Sequence, residues 1–398
     1  MSADSEIDRE TRESLPEPLR SEEALHAPFD WYREKRRSGP VHYDPEREVY
    51  DVFTYEHVKR SLQSGETLRR KQLSGSHVDA ETPFSYLDNG MVWSDGPDHK
   101  QTKGQLFKYF QPGMLADLEE SIEALSESQL ERALDGGPRF DFVTEFADPV
   151  PLRVIMDVVG IPSRDQQQML DWLNTFRSVM NSEYSADESR DEHEMEATVE
   201  YFRELVAERK ADPQEDLISR LATESDLSDA KIGANCFDFI LAGQGTMSEL
   251  LSNALYLFEQ HDLTAEEYEL DVALEEVLRY RSPLQSRARE TTETVTIADT
   301  EIPAGETVIL WLGAANRDPA QYDRPEQFVP DRNPDHLAFG SGPHNCIGAP
   351  LARLEAPIIM RTVLDHFEEI EVIEADAVPM SKASKVGFQR LPVETRPA

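Results

Sequence analysis

A mainly α fold with a small β part is predicted by three features of this 398-residue sequence. A run starting near Ser228, DAKIGANCFDFILAGQGTMSELLSNALYLFEQH, is apolar on almost every face through its middle, and a helix without a polar stripe must be buried along much of its length. Other stretches repeat apolar residues at helical spacing with charge on the outer face. Only one stretch, TVTIADTEIPAGETVILW, reads convincingly as a hairpin, with two β-branched strands joined through Pro and Gly turn residues.

In chain order, residues 1–20 are polar and acidic and read as a flexible tail, neither signal peptide nor anchor. REVYDVFTY has strand-like character. From Met114 to about Leu134, Leu118, Ile122, Leu125, Leu130 and Leu134 fall on or near one helical face, and EHEMEATVEYFRELVAERK is a second amphipathic helix. After the long apolar run, Thr264 and Glu267 stand at capping-box spacing ahead of another helix. With no internal repeat, low-complexity block or Gly/Ser linker, a single domain is expected over 21–398.

Acids outnumber bases 78 to 40, for a net charge of −38, and only ten of the bases are lysine. The acids are spread along the whole chain, which argues against one acidic patch for a basic partner, and the charge disfavours nucleic acid as a ligand. Such a surface repels itself at low ionic strength, whereas at ~1 M salt the Debye length is only about 3 Å. The composition resembles that of proteins from extreme halophiles. No stretch reaches the roughly 18 apolar residues of a bilayer span, so a cytoplasmic protein in a high-salt cytosol is expected. The two cysteines are too far apart for a zinc spacing and make no disulfide framework. Cys236, in GANCFDFI, reads as an ordinary buried thiol.

The other cysteine lies in LAFGSGPHNCIGAPLARLE, residues 337–355. Helix-forming APLARLE, with Pro350 in its first turn, places Cys346 at a helix N-terminus, where free N–H groups and the dipole favour a thiolate. Flanking glycines let backbone lie close against a large flat ligand. Without G-K-[ST] this is no phosphate-binding P-loop. His344, two positions away in a turn, is poorly placed as a base for a nucleophile, but structural thiol, nucleophile and metal ligand all stay open on this loop alone. Four further stretches bear on it. ALEEVLRYRSP sets Glu276 and Arg279 side by side on one helix face, and QFVPDR follows with Arg332. LAGQGTMSE, in the long apolar run, combines two glycines with a threonine whose hydroxyl can take a backbone carbonyl and bend the helix. SDGPDHKQTKGQLFKYFQP carries His99 and Lys103 four positions apart, and SRARETTETVTI carries Arg289.

In this order and spacing, these stretches resemble the cytochromes P-450, from about Ser21 onward. Phe339-x-x-Gly342-x-x-x-Cys346-x-Gly348 is similar to the family's haem-binding loop. The resemblance implies the P-450 fold, with the long buried helix over a haem b. Cys346 would be the axial iron ligand, and Phe339, Gly340 and Gly348 would line the loop. His344, His99, Arg289 and Lys103 would meet the propionates; lysine replaces an arginine and acts as a point charge. Glu276, Arg279 and Arg332 would be the family's structural triad. In the long helix Ala242, Gly243 and Thr246 match A-G-x-[DE]-T-T, but the acid is missing at Gly245 and Met247 replaces a threonine. Family members relay protons through that acid and alcohol. Here Thr246 remains, Gln244 could order water without titrating, and Glu249 one turn later is the candidate substitute. The Arg-Pro pair of peroxide-driven members is absent from the run.

The implied activity is a haem-thiolate monooxygenase that inserts one oxygen atom from O2 into an organic substrate. The chain carries no flavin or dinucleotide fingerprint, so electrons would come from a separate donor, usually a ferredoxin in soluble members. Lys100 and Lys108, in a rare basic cluster, are the expected docking residues. Phe84, Tyr86, Trp93, Phe176 and Met180 lie in segments that shape the substrate pocket in the family. The missing acid also leaves open a haem-thiolate sensor without catalysis, or an isomerising or peroxide-using enzyme.

Overall fold

The structure, a computed structural model, describes residues 15–70, 83–179, 188–264 and 268–397. Most of the expected tail, Met180 and Glu267 lie outside the described residues, as does the side chain of Phe84. The chain clusters into two compact units, each assembled from distant stretches. One comprises the chain up to Arg69, Glu249–Gly342 and Ile370–Glu394; the other comprises Arg70–Ser248, Pro343–Glu369 and the C-terminus from Thr395.

The first unit is β-rich. Its strands include β1 (Val41–Asp44), β2 (Val49–Val52), β3 (Leu68–Arg69), β4 (Ser286–Thr291), β5 (Val295–Ile297), β6 (Thr300–Ile302) and β7 (Thr307–Trp311). Five of them form a sheet in the order β1-β2-β7-β4-β3. REVYDVFTY supplies β2, which pairs antiparallel with β1 and parallel with β7, Val49 opposite Thr307. The expected hairpin is corrected here. β5 pairs with β6 around Ala298 and Asp299, while β7 leaves to pair with β2 and β4. The two-residue link closes the short hairpin by itself, with Ala298 at φ +51°. The Pro303–Gly305 turn then re-aims the chain, so that Val308 and Leu310 are fully buried in a core with Val52, Val58 and Ile302. A strand buried on one face this completely gains from having neighbours on both edges. A second cluster stacks Phe53 on Trp311, ring centroids 5.9 Å apart and nearly parallel, with Trp31 edge-on to both.

Helices build the second unit: α1 (Gly96–Phe107), α2 (Glu119–Ala133), α3 (Pro149–Val159), α4 (Glu188–Ala211), the first two thirds of α5 (Asp229–Gln260), and α7 (Ala349–His366). The helix expected from Met114 begins as two short turns and becomes regular only at Glu119. Ile122, Ser126, Leu130 and Ala133 form its buried stripe, against α7. α5 is the long apolar run, 32 residues without interruption. The Ser228 hydroxyl caps it by accepting from the Lys231 N–H at 3.3 Å. Cys236 is fully buried in it, and burial pushes its thiol up, out of reach of ionisation. The last third of α5 and α6 (Leu270–Tyr280) belong to the β-rich unit. α6 starts beyond the expected capping box, with Glu269 at its N-cap making no side-chain cap bond. Among the described residues no helix is long and apolar enough to cross a membrane.

Candidate functional site

The division between the units passes through the glycine-rich loop, between Gly342 and Pro343. On the helical side, Cys346 is exposed, engaged in no disulfide, and two residues ahead of the Gly348 N-cap of α7. Pro350 sits in the first turn, where its missing N–H costs no hydrogen bond. A Cβ on Gly348 would stand 3.9 Å from the Cys346 sulfur, at ordinary van der Waals contact.

α1 delivers three groups to this loop. His99 is buried, with its ring centroid 4.1 Å from that of His344. Burial first, then the neighbouring His344 and Lys103, bring His99 down to about 4, so it is neutral at physiological pH. His344 reaches Asp95, Nε2 to Oδ1 2.6 Å, at the N-cap of α1. Lys103 donates to the Pro343 carbonyl, the Asn345 carbonyl and the Asn345 side-chain oxygen, each at 2.7 Å. Burial pulls its ammonium down, while a thiolate at Cys346 acts in the opposite direction. Asp95 and Asn345 were not singled out from the sequence. The signal for Asp95 was its place immediately before the turn that opens α1; for Asn345 it was only adjacency to the cysteine. Lys100 and Lys108 are exposed, and Lys108 stands 3.7 Å from Glu224 and over the Tyr109 ring.

In the middle of buried α5 the helix opens. Ala242 is exposed, and Gly243, Gly245 and Thr246 are half-buried. The Thr246 hydroxyl donates to the Ala242 carbonyl at 2.7 Å, as its position after the glycines predicts, yet the helix runs on unbroken. Gly243 faces α3, where a Cβ would meet Ile155 at 3.5 Å. Gln244 and Glu249 differ from the expected proton-delivery roles. Gln244 is fully buried and its side-chain amide donates to Asp148 Oδ1 at 2.7 Å. Glu249 falls in the β-rich unit, where it is buried and pairs with Lys385. Both side chains are committed to neighbours, which position alone does not reveal.

One acid on α5 escaped the sequence reading. Asp238 is buried two turns before Thr246 and accepts from the Trp93 indole N–H at 3.1 Å, while Asn235, one turn earlier, accepts from the Met91 N–H at 2.9 Å. Gly90 makes room: a Cβ there would lie 2.1 Å from Asp238 Oδ2. Burial pushes the Asp238 carboxyl up to about 7. Of the aromatic residues expected near a pocket, Trp93 is bound in this way, Phe176 packs edge-on to Phe237 of α5, and Tyr86 is half-buried with its hydroxyl raised by burial.

The β-rich unit holds the remaining residues. Glu276 and Arg279 on α6 are fully buried and joined by two bonds of 2.7 Å, and Arg332 Nε reaches Glu276 Oε1 at 3.2 Å. Arg279 also donates to the carbonyls of Asn316, Pro325 and Gln327. Arg289, on β4, is buried and donates to the Ala288 carbonyl at 2.8 Å. Phe339 is half-buried, 5.7 Å from the His336 ring. Gly340 and Gly342 take φ +72° and +71°, and a Cβ on Gly342 would come within 2.7 Å of Gln63 Cα, so only glycine fits there.

This donor set suits haem. Among the described residues no group of three His, Cys, Asp or Glu side chains could hold a bare metal ion. An exposed cysteine at a helix N-terminus suits an iron already ligated by a macrocycle, for which a thiolate is one of the known protein ligands. A neutral His99 would offer a propionate a hydrogen bond rather than a counter-charge.

The sequence model of the family described as cytochrome P450 matches residues 259–396. Cytochrome P450 119 of Sulfolobus acidocaldarius is 32% identical over 386 residues, which span 92% of this chain and 99% of that protein. The crystal structure of CYP109E1 from Bacillus megaterium in complex with testosterone superimposes with a TM-score of 0.84 at 30% identity, covering 94% of this chain and 99% of the other. That of P450BioI, in complex with an acyl carrier protein ligated to hexadec-9Z-enoic acid, gives a TM-score of 0.87 at 28% identity, covering 94% and 100%.

Proposed function

We infer the detailed chemistry from the premise that the chain belongs to the cytochrome P450 family and is a haem b monooxygenase. The open sulfur of Cys346, at the N-terminus of α7 with Gly348 beside it, carries the reading. Cys346 would hold the haem iron through its sulfur, and haem held through a thiolate would supply the oxygen-activating chemistry. The protein's part is to hold the cofactor, exclude water, place a C–H bond and meter protons.

His99, on the helical unit, would support a propionate. Ala242 and Gly245 leave room on α5 for O2 and substrate, and the Thr246 hydroxyl hands on protons from ordered water. That hydroxyl, which donates to the Ala242 carbonyl and lies on the half-buried stretch of α5, is the proposed proton-handling group of the helix segment. One oxygen atom enters the substrate and the other leaves as water, with two electrons supplied by a ferredoxin-type partner at Lys100 and Lys108. The ligands of the similar crystal structures, testosterone and a sixteen-carbon acyl chain, support a mainly apolar substrate. The net charge of −38 supports work in a high-salt cytosol.

The test is the CO spectrum of dithionite-reduced protein in multimolar KCl, beside Cys346→Ser. A strongly red-shifted Soret band that the substitution removes is expected. Its absence from the wild type overturns the thiolate assignment. Reductant-dependent O2 consumption then separates the monooxygenase from a sensor or an isomerising or peroxide-using enzyme.

A further inference from the structure

Lys103 has a role apart from the propionates. Its ammonium carries three hydrogens, and three oxygens accept from it at 2.7 Å, all on the two residues Pro343 and Asn345. Bonds from an ammonium are the strong, short class, and they anchor the backbone immediately before Cys346. Asn345 is used twice, by its carbonyl and its side chain, so the peptide leading into the cysteine is held at two points. Two residues after the cysteine, Gly348 stands at the N-cap of α7.

We propose that Lys103 is a positioning residue for Cys346: it clamps the Pro343–Asn345 segment and sets a positive charge on the carbonyl of the residue just before the cysteine, instead of neutralising a haem propionate. The fork of an arginine reads two oxygens in one plane, whereas a lysine ammonium can point at three oxygens that do not share a plane. The replacement thus matches the acceptors present.

The inference rests on the haem-thiolate reading, and the experiment keeps the two apart. Holoprotein in multimolar KCl is compared as wild type, Lys103→Met and Lys103→Arg by hydrogen exchange, haem transfer to an acceptor protein, and redox titration. For Lys103→Met, exchange across 343–347 should rise about tenfold, the scale of one lost charged hydrogen bond. The reduction potential should fall, because removing a cation favours the oxidised, more positive centre. Lys103→Arg should restore the potential and part of the protection. Unchanged loop exchange together with faster haem loss would assign Lys103 to a propionate and overturn the proposal. A wild type without the red-shifted CO band defeats the thiolate reading instead, while loop exchange on that same protein still tests the clamp.

Discussion

Glu276 in the β-rich unit and Cys346 in the helical unit stand at opposite extremes of commitment. Every oxygen of Glu276 is taken: Oε2 by Arg279, and Oε1 by Arg279, Arg332 and the Val329 N–H. Around it Arg279 reaches three carbonyls, and both side chains are out of solvent. At Cys346 the polar neighbours are equally well bound, Lys103 to the loop carbonyls and His344 to Asp95, yet the sulfur itself is exposed. A closed network specifies geometry and has no capacity left for a ligand. A network closed around one open atom presents that atom to chemistry. The two residues thus differ in burial: Glu276 is closed off from solvent, whereas Cys346 is exposed at the end of a helix.

The comparison breaks most severely at Arg279. Arg279→Met leaves Glu276 buried with part of its partners gone, and should cost about 3–5 kcal/mol, read as a lower urea midpoint at unchanged slope in high KCl. An equal loss from Cys346→Ser would mean that the cysteine is scaffold as well; the expectation there is loss of the CO band with little change in midpoint.

Asp238 sharpens the contrast from the other side, as a buried acid that is only partly compensated. Its carboxyl is raised from 3.8 to about 7 in the folded protein. The unfolded chain therefore releases this proton first, so Asp238 contributes stability at low pH that is lost progressively as pH rises from about 4 to about 7 and then levels. Asp238→Asn, which keeps an acceptor for Trp93, should remove that decline and be more stable than the wild type above pH 7, on the order of 2 kcal/mol. Parallel stability curves for the two proteins across this range would show that the group is not raised.

The smallest effect concerns the exposed lysines. Lys100→Glu with Lys108→Glu should slow electron delivery from an acidic ferredoxin several-fold, less than about tenfold, since multimolar salt confines charge effects to contact range. An unchanged rate removes these residues from the docking surface and leaves them as ordinary surface cations.

Periodicity and local motifs made much of the molecule legible. The apolar run after Ser228 is one 32-residue helix, because a helix apolar all round has no other stable place than a core. The Glu276–Arg279 pair follows from i, i+3 spacing, and the place of Cys346 ahead of a helix follows from the glycines and Pro350. What stayed hidden depends on partners distant in the chain. β7 chose β2, more than 250 residues away, over its neighbour β6, because its two buried side chains needed a sheet on both edges. Lys103 turned to carbonyls 240 positions on, Gln244 to Asp148, and Glu249 to Lys385. Spacing along a chain determines which face of an element a side chain occupies. Which oxygen or cation waits opposite that face is decided only when separate elements pack, and burial then makes every unsatisfied polar group costly enough to enforce the choice.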